Sequence, residues 1–269
     1  MTRTGDSPIS AARRAARIAK YLLIMVGISH AQDAPVRLPA AMSLEKKVVT
    51  QHEPVVLDIT IDNPSQHGLV VNLGYQDEKL NVRVSDPQGE VVERSRPVRS
   101  GWAAPDAFDV PRGESVAGSV ALSSWFAFDT AGVYKIDVTI SPNSSPREPF
   151  SYTILNNSAL LELRVLPRDE PALRSACSDL VRTIGSSRSA SVTAVAANAL
   201  STVDDPVAVP FLAEVMRRRE FAALMIGALA RLKTDEAVSA LLLASRSRDR
   251  ETSTLAHSAL VALGKAVGP

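Results

Sequence analysis

Ala199-Leu200-Ser201-Thr202-Val203-Asp204-Asp205-Pro206-Val207-Ala208-Val209-Pro210-Phe211-Leu212 is answered, 29 residues later, by Ala228-Leu229-Ala230-Arg231-Leu232-Lys233-Thr234-Asp235-Glu236-Ala237-Val238-Ser239-Ala240-Leu241. The Ala-Leu pair returns once more as Ala259-Leu260, 31 residues further on. A fixed period of about 30 residues marks stacked helix pairs, because one pair cannot bury its apolar face alone and its neighbours complete the core. Residues 167–269 are therefore expected to form a short helical solenoid. Such arrays turn loops and ridges outward and usually bind partners rather than perform chemistry.

The helical spacing extends on both sides of the repeat. Leu173, Ala176, Cys177, Leu180, Val181 and Ile184 fall on one helical face, with Gly185 expected to close that helix. Val192, Val195, Ala196, Ala199, Leu200 and Val203 form the next stripe. Phe221, Leu224, Met225, Ala228, Leu229 and Leu232 form a third, and Leu255, Ala256, Ala259, Leu260 and Leu263 a fourth. Shorter helices are expected to begin near Asp205-Pro206 and Thr234-Asp235, for about six in all. Asp169-Glu170-Pro171 reads as a cap followed by a proline in the first helical turn.

Upstream, over residues 32–166, the period falls to two. Leu57, Ile59 and Ile61 alternate with Asp58, Thr60 and Asp62, and Leu80, Val82 and Val84 with Asn81, Arg83 and Ser85. Tyr134, Ile136, Val138 and Ile140 repeat the pattern, as do Leu161, Leu163 and Val165. Each segment has one dry and one wet face. Turn formers separate them at Asp86-Pro87-Gln88-Gly89, Pro111-Arg112-Gly113 and Asp129-Thr130-Ala131-Gly132. Seven to nine strands at regular spacing predict an antiparallel β-sandwich.

Three resemblances sharpen this outline. Asp129-Thr130-Ala131-Gly132-Val133-Tyr134 resembles the tyrosine corner of immunoglobulin-like domains, which implies that the phenol hydroxyl bonds back to the preceding loop. Val55 to Asn63 followed by Pro64-Ser65 is similar to a strand exit of exported bacterial sandwich modules. The unit carried by Ala199, Leu200, Asp205, Ala208, Val209 and Leu212, and again by Ala228, Leu229, Asp235, Ala237, Val238 and Leu241, resembles the HEAT-like, armadillo-type repeats of bacterial proteins, among them relatives of the phycobilin lyases. That resemblance implies a protein-interaction scaffold and carries no lyase chemistry.

The amino terminus bears on compartment. Arg13, Arg14, Arg17 and Lys20 precede an apolar run from Tyr21 to Ile28, and Ser29-His30-Ala31 sets small residues at the minus-three and minus-one positions of a signal-peptidase site. Residues 1–31 are expected to be a signal peptide cut after Ala31, the Arg13-Arg14 pair leaving a twin-arginine route as the alternative. The run is far shorter than the roughly 20 residues a membrane span needs. Cleavage removes five basic side chains and one acidic one, so the formal charge passes from +1 to −3 and the charge of a nucleic-acid binder is lacking. With Cys177 the lone cysteine, no internal disulfide can form and the fold must rest on its core.

Chemistry-bearing patterns are sparse. His52, His67 and His257 are scattered, and the sequence has no His-Glu-x-x-His, Cys-x-x-Cys, Gly-x-Ser-x-Gly or phosphate-binding glycine loop. No catalytic residue, metal or cofactor is expected. Asp204-Asp205 and Asp235-Glu236 stand where helices begin, which suits capping better than acid-base work. Cys177, on an apolar stripe, suits a buried thiol.

Two features suggest partner binding. Arg217, Arg218 and Arg219 recur in register, 29 residues on, as Arg246, Arg248 and Arg250, so stacking should set them side by side for an acidic partner or anionic head group. The alternative is that arginines near helix C-termini complement the dipole. Trp102, with Trp125, Phe126 and Phe128, is either an exposed hot spot or core. The leading expectation is a non-enzymatic periplasmic or secreted interaction protein whose partner is another envelope or secreted protein. An inhibitor or regulator of an extracytoplasmic hydrolase, using the loop Ser95 to Asp109, is the alternative, and an enzyme with an unrecognised site the third class.

Overall fold

The computed structural model describes residues 36–64, 66, 68–72, 80–94, 107–140, 152–155 and 157–265. The expected signal peptide, His67, Trp102 and residues 95–106 of the candidate inhibitory loop lie outside them. By its contacts the chain divides into Met1–Val36 and Arg37–Pro269, and the second unit holds both the strands and the helices.

Among the described residues eleven strands come first: β1 (Val36–Leu44), β2 (Val48–Thr50), β3 (Val56–Asp62), β4 (Leu69–Asn72), β5 (Leu80–Ser85), β6 (Val91–Val92), β7 (Ala107–Val110), β8 (Ser115–Ala121), β9 (Gly132–Ile140), β10 (Tyr152–Leu155) and β11 (Ser158–Leu166). They form sheets in the orders β10-β1-β3-β8 and β2-β11-β9-β5-β6, with β4 and β7 as a separate pair. The period-two residues line the dry faces: Leu57, Ile59, Ile61, Val84, Ile136, Val138, Ile140 and Leu163 are buried, while their alternates look outward. The described strands outnumber the seven to nine expected because β2 and β6 hold three and two residues, too few to show a period. The second sheet is also mixed. After β1, the chain crosses through Glu45-Lys46-Lys47 and lays β2 parallel to β11, with Val48, Val49 and Thr50 opposite Arg164, Val165 and Leu166.

The turns behave as their residues require. Asp86 accepts from Gly89 N–H through its carbonyl at 3.0 Å, and its carboxylate accepts from the Gln88 and Glu90 N–H groups at 2.9 and 2.8 Å. Gly132 has φ +145, and a Cβ there would stand 2.5 Å from Pro87, so a bare α-carbon is required where two turns touch. Tyr134, 2 % exposed, accepts a hydrogen bond from Thr130 N–H at 3.0 Å, the bond the tyrosine corner implied. Asn63, next to Pro64, donates from Nδ2 to the carbonyls of Val110 and Pro111 at 2.9 and 3.1 Å. Trp125, Phe126 and Phe128 are core: Trp125 is fully buried, the Arg94 guanidinium stacks 4.2 Å from its ring centre, and Phe128 meets Tyr134 edge-on.

Six α-helices follow: α1 (Glu170–Ser186), α2 (Ala190–Ser201), α3 (Val209–Val215), α4 (Ala222–Leu232), α5 (Asp235–Ala244) and α6 (Arg250–Ala262). Asp169 caps α1 by accepting from Ala172 N–H, with Pro171 in the first turn. The helix runs one residue past Gly185, because Ser187 turns to an extended backbone and no left-handed glycine is needed. A single 3-10 turn (Pro206–Ala208) leads into α3 and a second (Arg219–Phe221) into α4. Asp205 caps the first of these turns, whereas Thr234, not Asp235, caps α5 and leaves Asp235 and Glu236 in the first helical turn. Leu200, Leu229 and Leu260 are fully buried in one core with Leu212 and Leu241, so the repeated leucines occupy equivalent packing positions.

Helices and strands share a junction. Val56 of β3 and Ala121 of β8 pack on Ala199 of α2, with Leu180 of α1 and Val195 against them. Polar bonds frame this contact. Thr50 donates to the Pro167 carbonyl at 2.7 Å and accepts from Asp169 N–H at 2.8 Å, and Gln51 accepts from Arg168 N–H at 2.9 Å. Arg168 forks onto Asp205, 3 % exposed, with Nε and Nη2 at 2.6 and 3.1 Å from the carboxylate. The three residues between strand and helix are thus tied on both sides.

Candidate partner-binding edge

Three turns join the helices pairwise: Ser187 to Ser189 between α1 and α2, Met216 to Arg218 ahead of the 3-10 turn into α4, and Ser245 to Asp249 between α5 and α6. Side-chain bonds place them in a row. Arg218 of the second turn donates through Nη1 to the Ile184 carbonyl at the end of α1, 2.7 Å away. Arg219 reaches the third turn, with Nε 3.6 Å from Asp249 and Nη2 3.4 Å from Glu251. At the opposite end, Arg231 of α4 donates to the Ser201 carbonyl that ends α2.

The two arginine clusters therefore lie on neighbouring turns, and their members differ in employment. Arg218 satisfies a helix-terminal carbonyl and complements the negative end of the α1 dipole. Arg219 links two turns through carboxylates. The remaining four, Arg217, Arg246, Arg248 and Arg250, are exposed and make no ion pair with the described residues. Arg188, in the first turn and also exposed, joins them. It escaped sequence reasoning because it belongs to the pair before the regular repeat, and only the Arg218 bond to Ile184 brings its turn alongside. Asp249 caps α6 by accepting from Thr252 Oγ1 and N–H at 2.6 and 2.9 Å. Those two bonds outweigh the opposing effect of desolvation and, with a lesser contribution from the Arg219 charge, hold its carboxyl below the ordinary carboxylate range.

The other titratable groups serve structure. Burial pushes the Asp205 carboxyl up, but the Arg168 hydrogen bonds, the Val207 N–H and nearby positive charge outweigh it, leaving the group below the ordinary range. Burial first, then nearby Asp205 and Glu53, pushes the Cys177 thiol up to about 12, so the thiol stays protonated at neutral pH and is a poor nucleophile. An open groove of about 650 Å³ lies over Val48, Thr50, Glu53, Leu166 and Arg168 to Ala172, where the polar groups are already engaged in the junction. Among the described residues no three acidic, histidine or cysteine side chains are grouped to hold a metal, and no helix is long and apolar enough to cross a membrane.

The molecule is thus a β domain of antiparallel and mixed sheets followed by six helices, with an arginine-rich edge on the helical part. No protein-family model and no curated protein sequence matches the chain. Among solved structures it is similar to the CARDB domain of a Pyrococcus furiosus protein, described in complex with di-metal ions, at 14 % identity and TM-score 0.27 over 49 % of this chain and 94 % of that one. It is also similar to a β-glucosidase from Listeria innocua, at 13 % identity and TM-score 0.25, covering 49 % of this chain and 16 % of the enzyme. The native conformation of Escherichia coli alpha-2-macroglobulin is matched over 83 % of this chain and 17 % of its own, at 11 % identity and TM-score 0.27. None of the three assigns this chain a function.

Proposed function

We propose that this chain is an exported, non-enzymatic interaction protein of the cell envelope, built as an immunoglobulin-like β-sandwich fastened to a short HEAT-like solenoid. The sandwich reading is supported by the tyrosine-corner bond from Thr130 N–H to Tyr134 and by the alternating burial along β3, β5, β9 and β11. The repeat reading is supported by the burial of Ala208 and Leu212, matched by Ala237 and Leu241, in one core. One observation carries the function: arginines on three successive turns share one edge, where Arg188, Arg217, Arg246 and Arg248, together with Arg250 at the start of α6, stay exposed and unpaired with the described residues. Carboxylate partners suit such an edge, because a guanidinium offers a planar fork of donors.

The test is cross-linked capture by the tagged chain from an envelope extract of its source, beside Arg217→Glu/Arg246→Glu/Arg248→Glu. Arg218 and Arg219 are left alone because both are used within the fold. A protein recovered by the unaltered chain, lost in the variant, and binding directly once purified supports the reading. Equal recovery by both chains would refute the role of the edge. Mass analysis of the chain from the envelope fraction tests export, with an amino terminus at Gln32 expected.

A further inference from the structure

The identity of the arginines and the spacing of their turns narrow the partner's chemistry. We propose that the edge cradles an extended acidic peptide segment whose carboxylates recur at every third residue, one for each turn. This rests on the reading of the chain as an interaction module and specifies what that module holds.

Stacked helices stand about 8–10 Å apart, and a peptide in the extended polyproline II conformation advances about 3.1 Å per residue with about three residues per turn, so each step from turn to turn matches about three peptide residues and returns the side chain to the same side. A segment of about seven residues then spans Arg188 in the first turn, Arg217 in the second and Arg246 with Arg248 in the third. The described turns hold arginine and no lysine, so the recognising groups are planar forks, suited to bidentate carboxylates, rather than mobile point charges. Carboxylates are interspersed on the same edge as Glu220, Asp249 and Glu251, and Arg219 is drawn onto the last two. They limit the positive field to separate points, which favours charges presented at intervals over a continuous anionic sheet.

A lipid surface fits less well. Membrane-docking faces combine basic residues with apolar side chains that enter the acyl boundary. Here Met216 is buried, and the nearest exposed large apolar residues, Val192 by the first turn and Leu243 by the third, stand at opposite ends of the row.

Fluorescence anisotropy of a labelled peptide of repeating Asp-Ser-Gly, titrated with the full chain, tests the proposal. A peptide of the same composition with its aspartates in one block and vesicles of phosphatidylglycerol serve as competitors. Expected are binding that weakens steeply with salt and a loss of about tenfold or more in Arg217→Glu/Arg246→Glu/Arg248→Glu. Arg112→Glu, in a turn of the β domain, should bind as the unaltered chain does, and circular dichroism should show all three chains equally helical. Equal binding of the blocked peptide would overturn the spacing argument. Stronger competition by the vesicles would replace the peptide with a lipid surface, and absence of peptide binding would overturn the proposal altogether. If envelope capture still depends on the arginines while the peptide does not bind, the interaction reading stands and only this inference falls.

Discussion

Leu229→Ala should unfold the whole described unit more easily, and Trp125, in the β domain, should report it. Leu229 is fully buried in the helical core. Shrinking its isobutyl group to a methyl removes about three carbons, which at about 0.8 kcal/mol each is worth about 2.4 kcal/mol of transfer free energy. A cavity that closes only in part raises the cost to about 3–4 kcal/mol. For a domain whose total stability is about 5–15 kcal/mol, that is a large share, and at a urea slope of about 2–3 kcal/mol per molar it moves the midpoint by about 1–2 M. The β domain should share the shift, because Val56 and Ala121 pack on Ala199 and the strand-to-helix residues are tied to Thr50, Gln51 and Asp205. The assay is urea unfolding followed by far-ultraviolet ellipticity and by Trp125 emission, in a Trp102→Phe background that leaves one tryptophan. Both midpoints should fall together. A lower ellipticity midpoint with an unchanged Trp125 midpoint would refute the coupling through the junction.

Further outcomes follow from single sites. Gly132→Ala should cost about 2 kcal/mol or more in thermal unfolding, since the residue keeps a positive φ and its Cβ meets Pro87. Tyr134→Phe leaves the Thr130 N–H without its acceptor and should cost about 1–2 kcal/mol, measured by denaturant midpoint. The Asp205 carboxyl is held below its unfolded value of about 3.9, so its stabilisation is present above that pH and is lost as pH falls through the lower folded value. Urea midpoints should therefore drop below about pH 4 in the unaltered chain. Asp205→Asn should be less stable at neutral pH and show a shallower acid loss, and parallel acid profiles would contradict that assignment.

The helical half was the most legible in sequence because its signals are local and repeated. Leucine at 29-residue spacing can specify only equivalent packing positions, and Leu200 and Leu229 take them. Asp169 capped where Pro171 said a helix starts, whereas Gly185 misled because a helix can also end on an extended residue such as Ser187. The junction was not legible. Thr50 finds Pro167 and Asp169 across 117 and 119 residues, and Arg168 finds Asp205 across 37, separations at which no periodicity speaks. The parallel pairing of β2 was hidden by its three-residue length. At the candidate edge, register brought Arg217 to Arg219 and Arg246 to Arg250 into view, but not their uses. Whether an arginine faces solvent or holds a carbonyl, as Arg218 holds Ile184, depends on the neighbouring pair.

The central claim, that the arginine turns meet the partner, is tested most directly by photo-cross-linking in the source organism. p-Benzoylphenylalanine would replace Glu220 or Ser247 on the edge, and Leu160, 70 % exposed on the outer face of β11, as the comparison. The expected result is one protein adduct from both edge positions, none from Leu160, and loss of that adduct when Arg217, Arg246 and Arg248 are changed to Glu. Adducts from Leu160 with none from either edge position would contradict the account and move the contact to the sheet.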